Sequence, residues 1–355
     1  MSDYDIIDVA PTSELTVVDN FILNKPKNRY AEGLHYINNT QVATGLLDPT
    51  VTEEDMRIAE YGAKNDPNAV AILRVKSEVF DMGKVKLTPF DECVLDACYA
   101  LALHGATKFS IENLANVLAG KEVKFHDLDT SRYKGALEFL KENPDGTAVI
   151  DPSSLSYYEF LHFTVEKLSK LTVTLDCTNL LAPDGQKVFS ELKVEGYMLP
   201  VEIFHGVSRI TKKEKVFYRF LTKSIIYEYA ERFNRIACVP AKLLDNGVPN
   251  NVETIPLKTA ILKKIALMKN SHNNYYTNKI SYEWYSEKDK AMRGLLSELG
   301  LSREQYSSSS AWRNKKSKIH RDVGLILEKC KEEGMIADYE EAKEGQRIIG
   351  YIITP

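Results

Sequence analysis

Ser307–Thr354 reads SSSSAWRNKKSKIHRDVGLILEKCKEEGMIADYEEAKEGQRIIGYIIT, and its periodicity decides the fold. The serine run can cap a helix. Ser310 is the expected cap, its side chain accepting from the first free backbone N–H groups. Apolar residues then fall at Trp312, Ile319, Val323, Ile326, Leu327 and Cys330, the spacing of one buried face at 3.6 residues per turn. Measured from Ile319 at about 100° per residue, Arg313, Asn314, Ser317, His320 and Arg321 lie on the far side. Gly334 ends the helix. Two β-like runs follow, Met335–Tyr339 and Arg347–Thr354, joined by a charged turn containing Lys343 and Gly345.

A long helix with a basic outer face near its start, backed by a hairpin, is the outline of a winged helix-turn-helix. Such a helix fits the DNA major groove, and the hairpin touches the flanking backbone. Arg313 and Arg321, with Asn314 and Ser317 between them, are the candidate base readers, because Arg can bridge guanine O6 and N7 and Asn can pair with adenine N6 and N7. His320 shares that face. Lys315, Lys316 and Lys318 flank it and are expected at phosphates, as are Lys343 and Arg347 at the wing. The competing explanation is a solvated basic helix face. Trp312 and Trp284 read as core or hinge residues.

Working outward, the same order of elements recurs upstream. Residues 1–68 read as a polar N-terminal arm with one short helix near Glu53–Tyr61, and Val70–Phe80 reads as a strand. Thr88-Pro89-Phe90-Asp91 starts a core helix that runs to about His104. Ser110 caps a shorter helix, Ile111–Leu118. Helices are expected over Ser131–Lys141 and Tyr157–Lys170, then β-runs at Leu171–Thr178, Val188–Val194 and Tyr197–Phe204. This makes a first unit at 69–204. A basic joining segment, 205–253, holds a short helix around Ile225–Arg232. The second unit, 254–355, opens on a helix capped by Thr254, continues through a short helix around Ser281–Lys288, and ends on the long helix and hairpin. The expected fold class is therefore α+β, two winged helix-turn-helix domains in tandem behind an N-terminal arm. In the first unit, Tyr157–Lys170 shows Tyr158, His162, Glu166 and Ser169 outward and is poorly basic. That unit is expected either to contact protein or to read DNA through Ser131–Lys141, with Arg132 and Lys134.

Bulk numbers narrow the function. At 355 residues, 44% hydrophobic and 27% charged, the chain can bury more than one core. Its five cysteines include no CxxC pair and read as reduced core residues. No apolar run is long enough for a membrane span and no signal segment opens the chain, so a cytoplasmic protein without membrane contact is expected. Net charge is −4, but from Ile203 onward there are 27 Lys and Arg against 18 Asp and Glu, which leaves the earlier part acidic at −13. Polyanion contact is thus expected in the second part. There is no phosphate-cradling GxxxxGK[ST] loop and no GxGxxG motif. The seven histidines never cluster, so no local metal site, cofactor or catalytic residue is nominated, and the chain is read as a non-enzyme.

In organisation the chain resembles plasmid replication initiators of the two-winged-helix, iteron-binding type. LTPFDECVLDACYAL (Leu87–Leu101) opens the first unit and IPLKTAILKKIALMKN (Ile255–Asn270) the second. The resemblance implies binding of repeated double-stranded origin sites, a homodimer formed through the first unit, repression of the chain's own promoter and recruitment of host replication helicase machinery. Three alternatives stay open: a transcriptional regulator of the same fold, a metal-dependent nuclease with dispersed carboxylates, and an assembly protein whose basic face binds an acidic protein.

Overall fold

Capping side chains set the helix starts. In the computed structural model, Thr88 donates its backbone N–H to Asp91 Oδ2 at 2.6 Å and its Oγ1 accepts from Asp91 N–H at 3.4 Å, with Pro89 where its missing N–H is harmless. This box starts α1 (Pro89–Leu103), and Gly105 ends it in the left-handed region at φ +84°. Ser110 with Asn113 starts α2 (Ile111–Leu118), and Ser156 with Glu159 starts α3 (Tyr157–Ser169) in the same way. The structure describes residues 34–38, 57–63, 66–77, 87–123, 155–176, 193–207, 212, 214–232, 236–270, 278–283 and 294–355. The helix expected over Ser131–Lys141 lies outside them.

Strands β4 (Lys108–Phe109), β7 (Val201–Val207) and β8 (Glu214–Phe220) form an antiparallel sheet in the order β4-β8-β7. A second antiparallel sheet runs β2-β3-β5-β6, from β2 (Arg57–Ala63), β3 (Asp66–Ser77), β5 (Leu171–Asp176) and β6 (Lys193–Tyr197). α1, α2, α3 and α4 (Ile225–Arg232) pack with the inner face of β4-β8-β7 around Phe90, Val94, Phe109, Leu114, Leu161, Val165 and Tyr218.

The second core gathers around α5 (Thr254–Asn270). Asn251 accepts from the amides of Glu253 and Thr254 at 3.0 Å each, and Thr254 Oγ1 accepts from Asn251 N–H at 3.1 Å, so the cap is Asn251, and Thr254, expected to be the cap, is its partner three residues on. Then come β10 (Lys279–Ser281), the single-turn α6 (Leu295–Glu298), α7 (Ser309–Glu332), β11 (Asp338–Glu344) and β12 (Arg347–Thr354), the last two joining β10 in a sheet ordered β10-β12-β11. Ile261, Leu262, Leu295, Val323, Ile326, Leu327 and Ile353 fill this core. Each fully buried aliphatic side chain contributes about 1.5–3 kcal/mol relative to exposure.

The chain is mixed helix and sheet, as expected, with several departures. The polar arm is not free of structure: β1 (Leu34–Asn38) pairs antiparallel with β9 (Ile236–Pro240), sending Tyr36 into the first core and Ile37 into the second. Arg57–Ala63 is a strand where a helix near Glu53–Tyr61 was expected, because pairing with β3 overrides the helix preference of Ala and Glu. The stretch 205–253 does more than join: it supplies β8 and α4 to the first core and β9 to the second. The strand expected over Tyr197–Phe204 is split at Met198–Pro200, where Met198 and Leu199 amides turn back to the carbonyls of Leu171 and Leu168. Ser281 pairs with Gly350 in a strand instead of starting a helix, and 284–293 lie outside the described residues. Met335 and Ile336 are not in the hairpin. Their amides bond Cys330 O at 2.8 and 3.3 Å and their side chains plug the end of α7, so the first hairpin strand begins at Asp338.

Candidate nucleic-acid interface

α7 presents the residues singled out by the sequence. Ser308, not Ser310, is its cap: Ser308 Oγ accepts from Ala311 N–H at 3.1 Å, and the Ser310 hydroxyl hydrogen-bonds Ser308 Oγ at 2.9 Å. Ile319, Val323, Ile326, Leu327 and Cys330 bury the inner face, and α7 packs on α5. Trp312 is half-buried beside Tyr306, ring centroids 5.1 Å apart, with the Lys316 ammonium 5.5 Å from the Trp312 ring. Arg313, Asn314, Ser317, Lys318 and Arg321 are exposed, and the i, i+4, i+8 spacing lines up 313, 317 and 321. Residues 309–321 contain five Lys and Arg and no Asp or Glu.

Carboxylates hold most of these cations at rest. Lys315 Nζ lies 2.8 Å from Glu253 Oε1 and Lys318 Nζ 3.7 Å from Glu253 Oε2. The hydrogen bond from Lys315 holds the Glu253 carboxyl below its usual range. Lys316 lies 3.5 Å and Arg347 2.6 Å from Glu283, Lys343 2.9 Å from Glu341, and Arg321 3.4 Å from Asp322. Arg313 makes no ion pair among the described residues. Among the described residues, all four of these acids come from the basic second part of the chain. Exposed pairs of this kind are worth about 0–1 kcal/mol each, little enough for a phosphate to replace the carboxylate.

His320 departs from its expected place on the open face. It turns to the hairpin, with Nδ1 2.8 Å from the Tyr282 hydroxyl and 3.1 Å from the Tyr351 hydroxyl, and Nε2 3.1 Å from Glu341 Oε1. Its ring stacks on Tyr351 at 5.3 Å and 9°. One step beyond buried Ile319, it lies over β10 and β12 and ties the helix to the sheet. Lys343 sits at the end of β11, not in the turn. Asp338, Glu340, Glu341 and Glu344 make that strand acidic, which confines the cations of the wing to its tip, Lys343 and Arg347, around Gly345 at φ +60°. Sequence reasoning missed Glu253, Glu283, Tyr282 and Tyr351. Only the inward alternation of β12 signalled Tyr351, and nothing local linked Glu253 to α7.

The corresponding helix of the first part is covered on both sides. His162 and Glu166, expected outward on α3, are buried, as are Leu161, Val165 and Leu168 on the other side. His162 Nδ1 is hydrogen-bonded to the Tyr218 hydroxyl of β8, and Lys167 pairs with Asp91 of α1 at 2.6 Å. Burial pushes the Glu166 carboxyl up to about 7. Arg132 and Lys134 lie outside the described residues.

Among the described residues no group of three His, Cys, Asp or Glu could hold a metal ion, and no helix is long and apolar enough to cross a membrane. No protein-family model matches the chain, and no curated protein sequence matches it. Two solved structures are similar to it in arrangement. One is the crystal structure of selenomethionine derivatives of domain 2 and domain 3 of RctB, with 12% identity, a TM-score of 0.39, and coverage of 89% of this chain and 97% of that one. The other is the crystal structure of RctB domains 2-3, with 11% identity, a TM-score of 0.39, and coverage of 88% and 94%.

Proposed function

We propose that this chain is a non-enzymatic, sequence-specific double-stranded DNA-binding protein that initiates replication of a plasmid or other mobile element. The observation that carries the binding reading is the exposed line Arg313, Ser317, Arg321, with Asn314 beside it, along a helix whose first half holds no acid. The described elements α5, β10, α6, α7, β11 and β12 follow one another in the order expected of a winged helix, which supports reading α7 as the helix that enters the major groove. Arg313, Asn314, Ser317 and Arg321 then face base edges, while Lys315, Lys316 and Lys318 trade their carboxylates for phosphates. Lys343 and Arg347 at the wing tip reach the flanking backbone.

The initiator reading rests on two helix-and-sheet units in one chain, an acidic first part and a basic second. The first part, with its covered α3, serves protein contact, including a homodimer. The second engages repeated origin sites, and strain on the adjacent duplex opens the way for host helicase machinery. As a dimer the protein represses its own promoter. Selection of bound duplexes from a random pool by the purified chain tests this directly. A single enriched motif, recurring as repeats beside the gene, is the expected result, and enrichment of no motif contradicts it. A supercoiled plasmid incubated with the protein and Mg²⁺ should remain uncut; cleavage would favour a nuclease.

A further inference from the structure

Duplex binding through α7 leaves the outer face of the β4-β8-β7 sheet without a role. Along β8, Val216 and Tyr218 point into the core, as does Phe109 of β4. Phe217 and Arg219 therefore point the other way. Phe204 of β7 is paired with Phe217, and Arg219 has Glu202 on one side and Lys108 on the other. The two phenyl rings lie parallel, 5.0 Å apart and 3° from coplanar. Lys108 Nζ stands 5.6 Å from the Phe217 ring, and the Arg219 guanidinium 4.9 Å from the Phe204 ring. Lys108 and Arg219 are exposed, and both rings are half-exposed. The outer face of an antiparallel sheet ordinarily carries polar side chains. Here it carries two aromatic rings on neighbouring strands, each with a cation on a flexible stem beside it.

That combination selects among polyanions. A duplex keeps its bases stacked inside and offers the rings nothing, whereas an acidic protein surface would use the cations and leave the rings idle. A single strand offers both a π face on every base and a phosphate beside it. We infer that this face binds single-stranded DNA, with Phe204 and Phe217 stacking on bases while Lys108 and Arg219 swing from the rings to the adjoining phosphates. Glu202, ion-paired with Arg219, is the carboxylate that the incoming phosphate displaces. The site is separate from α7 and does not depend on the duplex reading.

The test is binding of fluorescein-labelled oligothymidylate to the full chain at low salt, followed by anisotropy. Wild-type protein should bind, and ultraviolet crosslinking should mark the peptides holding Phe204 and Phe217. Phe204→Leu and Phe217→Leu keep the apolar cover but remove the stacking face, so each should weaken binding about fivefold or more. Lys108→Glu, a change at an exposed side chain, should weaken it without moving the thermal unfolding midpoint. Arg313→Ala with Arg321→Ala should leave oligothymidylate affinity unchanged. The inference is overturned if wild-type protein fails to bind, if the leucine variants bind as wild type, if crosslinks fall on α7, or if oligouridylate binds much more tightly, which would assign the face to RNA.

Discussion

At the scale of single residues, the carboxylates opposite the α7 cations make a prediction that a bare basic face would not. Glu253 holds Lys315 and Lys318, so a phosphate must displace it. Glu253→Gln should therefore tighten duplex binding, by up to about fivefold for an exposed pair worth about 0–1 kcal/mol; looser or unchanged binding in an equilibrium titration would remove both lysines from the phosphate contacts. Lys316→Ala should weaken binding to all sequences alike and lower the slope of log affinity against log salt by about one. Glu166 offers a test unconnected with DNA. Its carboxyl is raised by burial from 4.5 to about 7 in the folded chain. Between those values the unfolded chain gives up its proton first, so the folded state binds more protons and stability falls as pH rises through the window. Glu166→Gln should flatten that part of a denaturation-midpoint profile, and an unchanged profile would show that Glu166 ionises freely. Neither the burial of Glu166 nor that of His162 was legible. Both were expected on the outward face of α3, and what meets His162 there is Tyr218 of β8, 56 residues away in the chain.

At the scale of elements, the sequence was clearest where a local contact sets a boundary. Thr88 and Ser110 start their helices as read, because each cap lies three residues from its partner, and Ser156, not singled out beforehand, does the same for α3. Four successive serines around the start of α7, Ser307 to Ser310, offered no such choice. Ser308 takes the cap because Ala311 N–H meets its Oγ. Ser308→Ala should cost about 1 kcal/mol, read as a lower denaturation midpoint of the second core, while Ser310→Ala should cost only a few tenths. Equal losses would reassign the cap. Strands were harder to place. Met335 and Ile336 have the composition of a strand yet fold back on Cys330, since ending a long helix over an open core needs apolar residues there. The candidate site was legible in its exposed half, Arg313 through Arg321, by angle alone. His320 was misplaced because the angle fixes a direction but not what stands in it, here Tyr282 and Tyr351.

Across the whole molecule, β1 joins the parts. Tyr36 enters the first core, packing edge-on against Tyr99 at 6.0 Å, and the next residue, Ile37, enters the second. α1 also packs on α5, where Lys263 Nζ lies 3.4 Å from Glu92 Oε1, and Gly120 touches the turn before α5: a Cβ there would meet Ala241 O at 2.2 Å. Tyr36→Ala should cost about 3–5 kcal/mol and lower the first-core transition more than the second, dividing one calorimetric unfolding peak into two. A single peak would mean that α1 and α5 couple the cores without β1. Pairing over two hundred residues carries no local signal, which is why β1 read as part of a polar arm. The central claim, that the outer face of α7 reads duplex DNA, is tested most directly by measuring Arg313→Ala and Arg321→Ala on the duplex that the wild-type chain selects. Each should lose about 1–3 kcal/mol of specific affinity and relax the preference at its own base pair while unselected duplex is bound nearly as before. Unchanged affinity for the selected duplex in both variants would contradict the account.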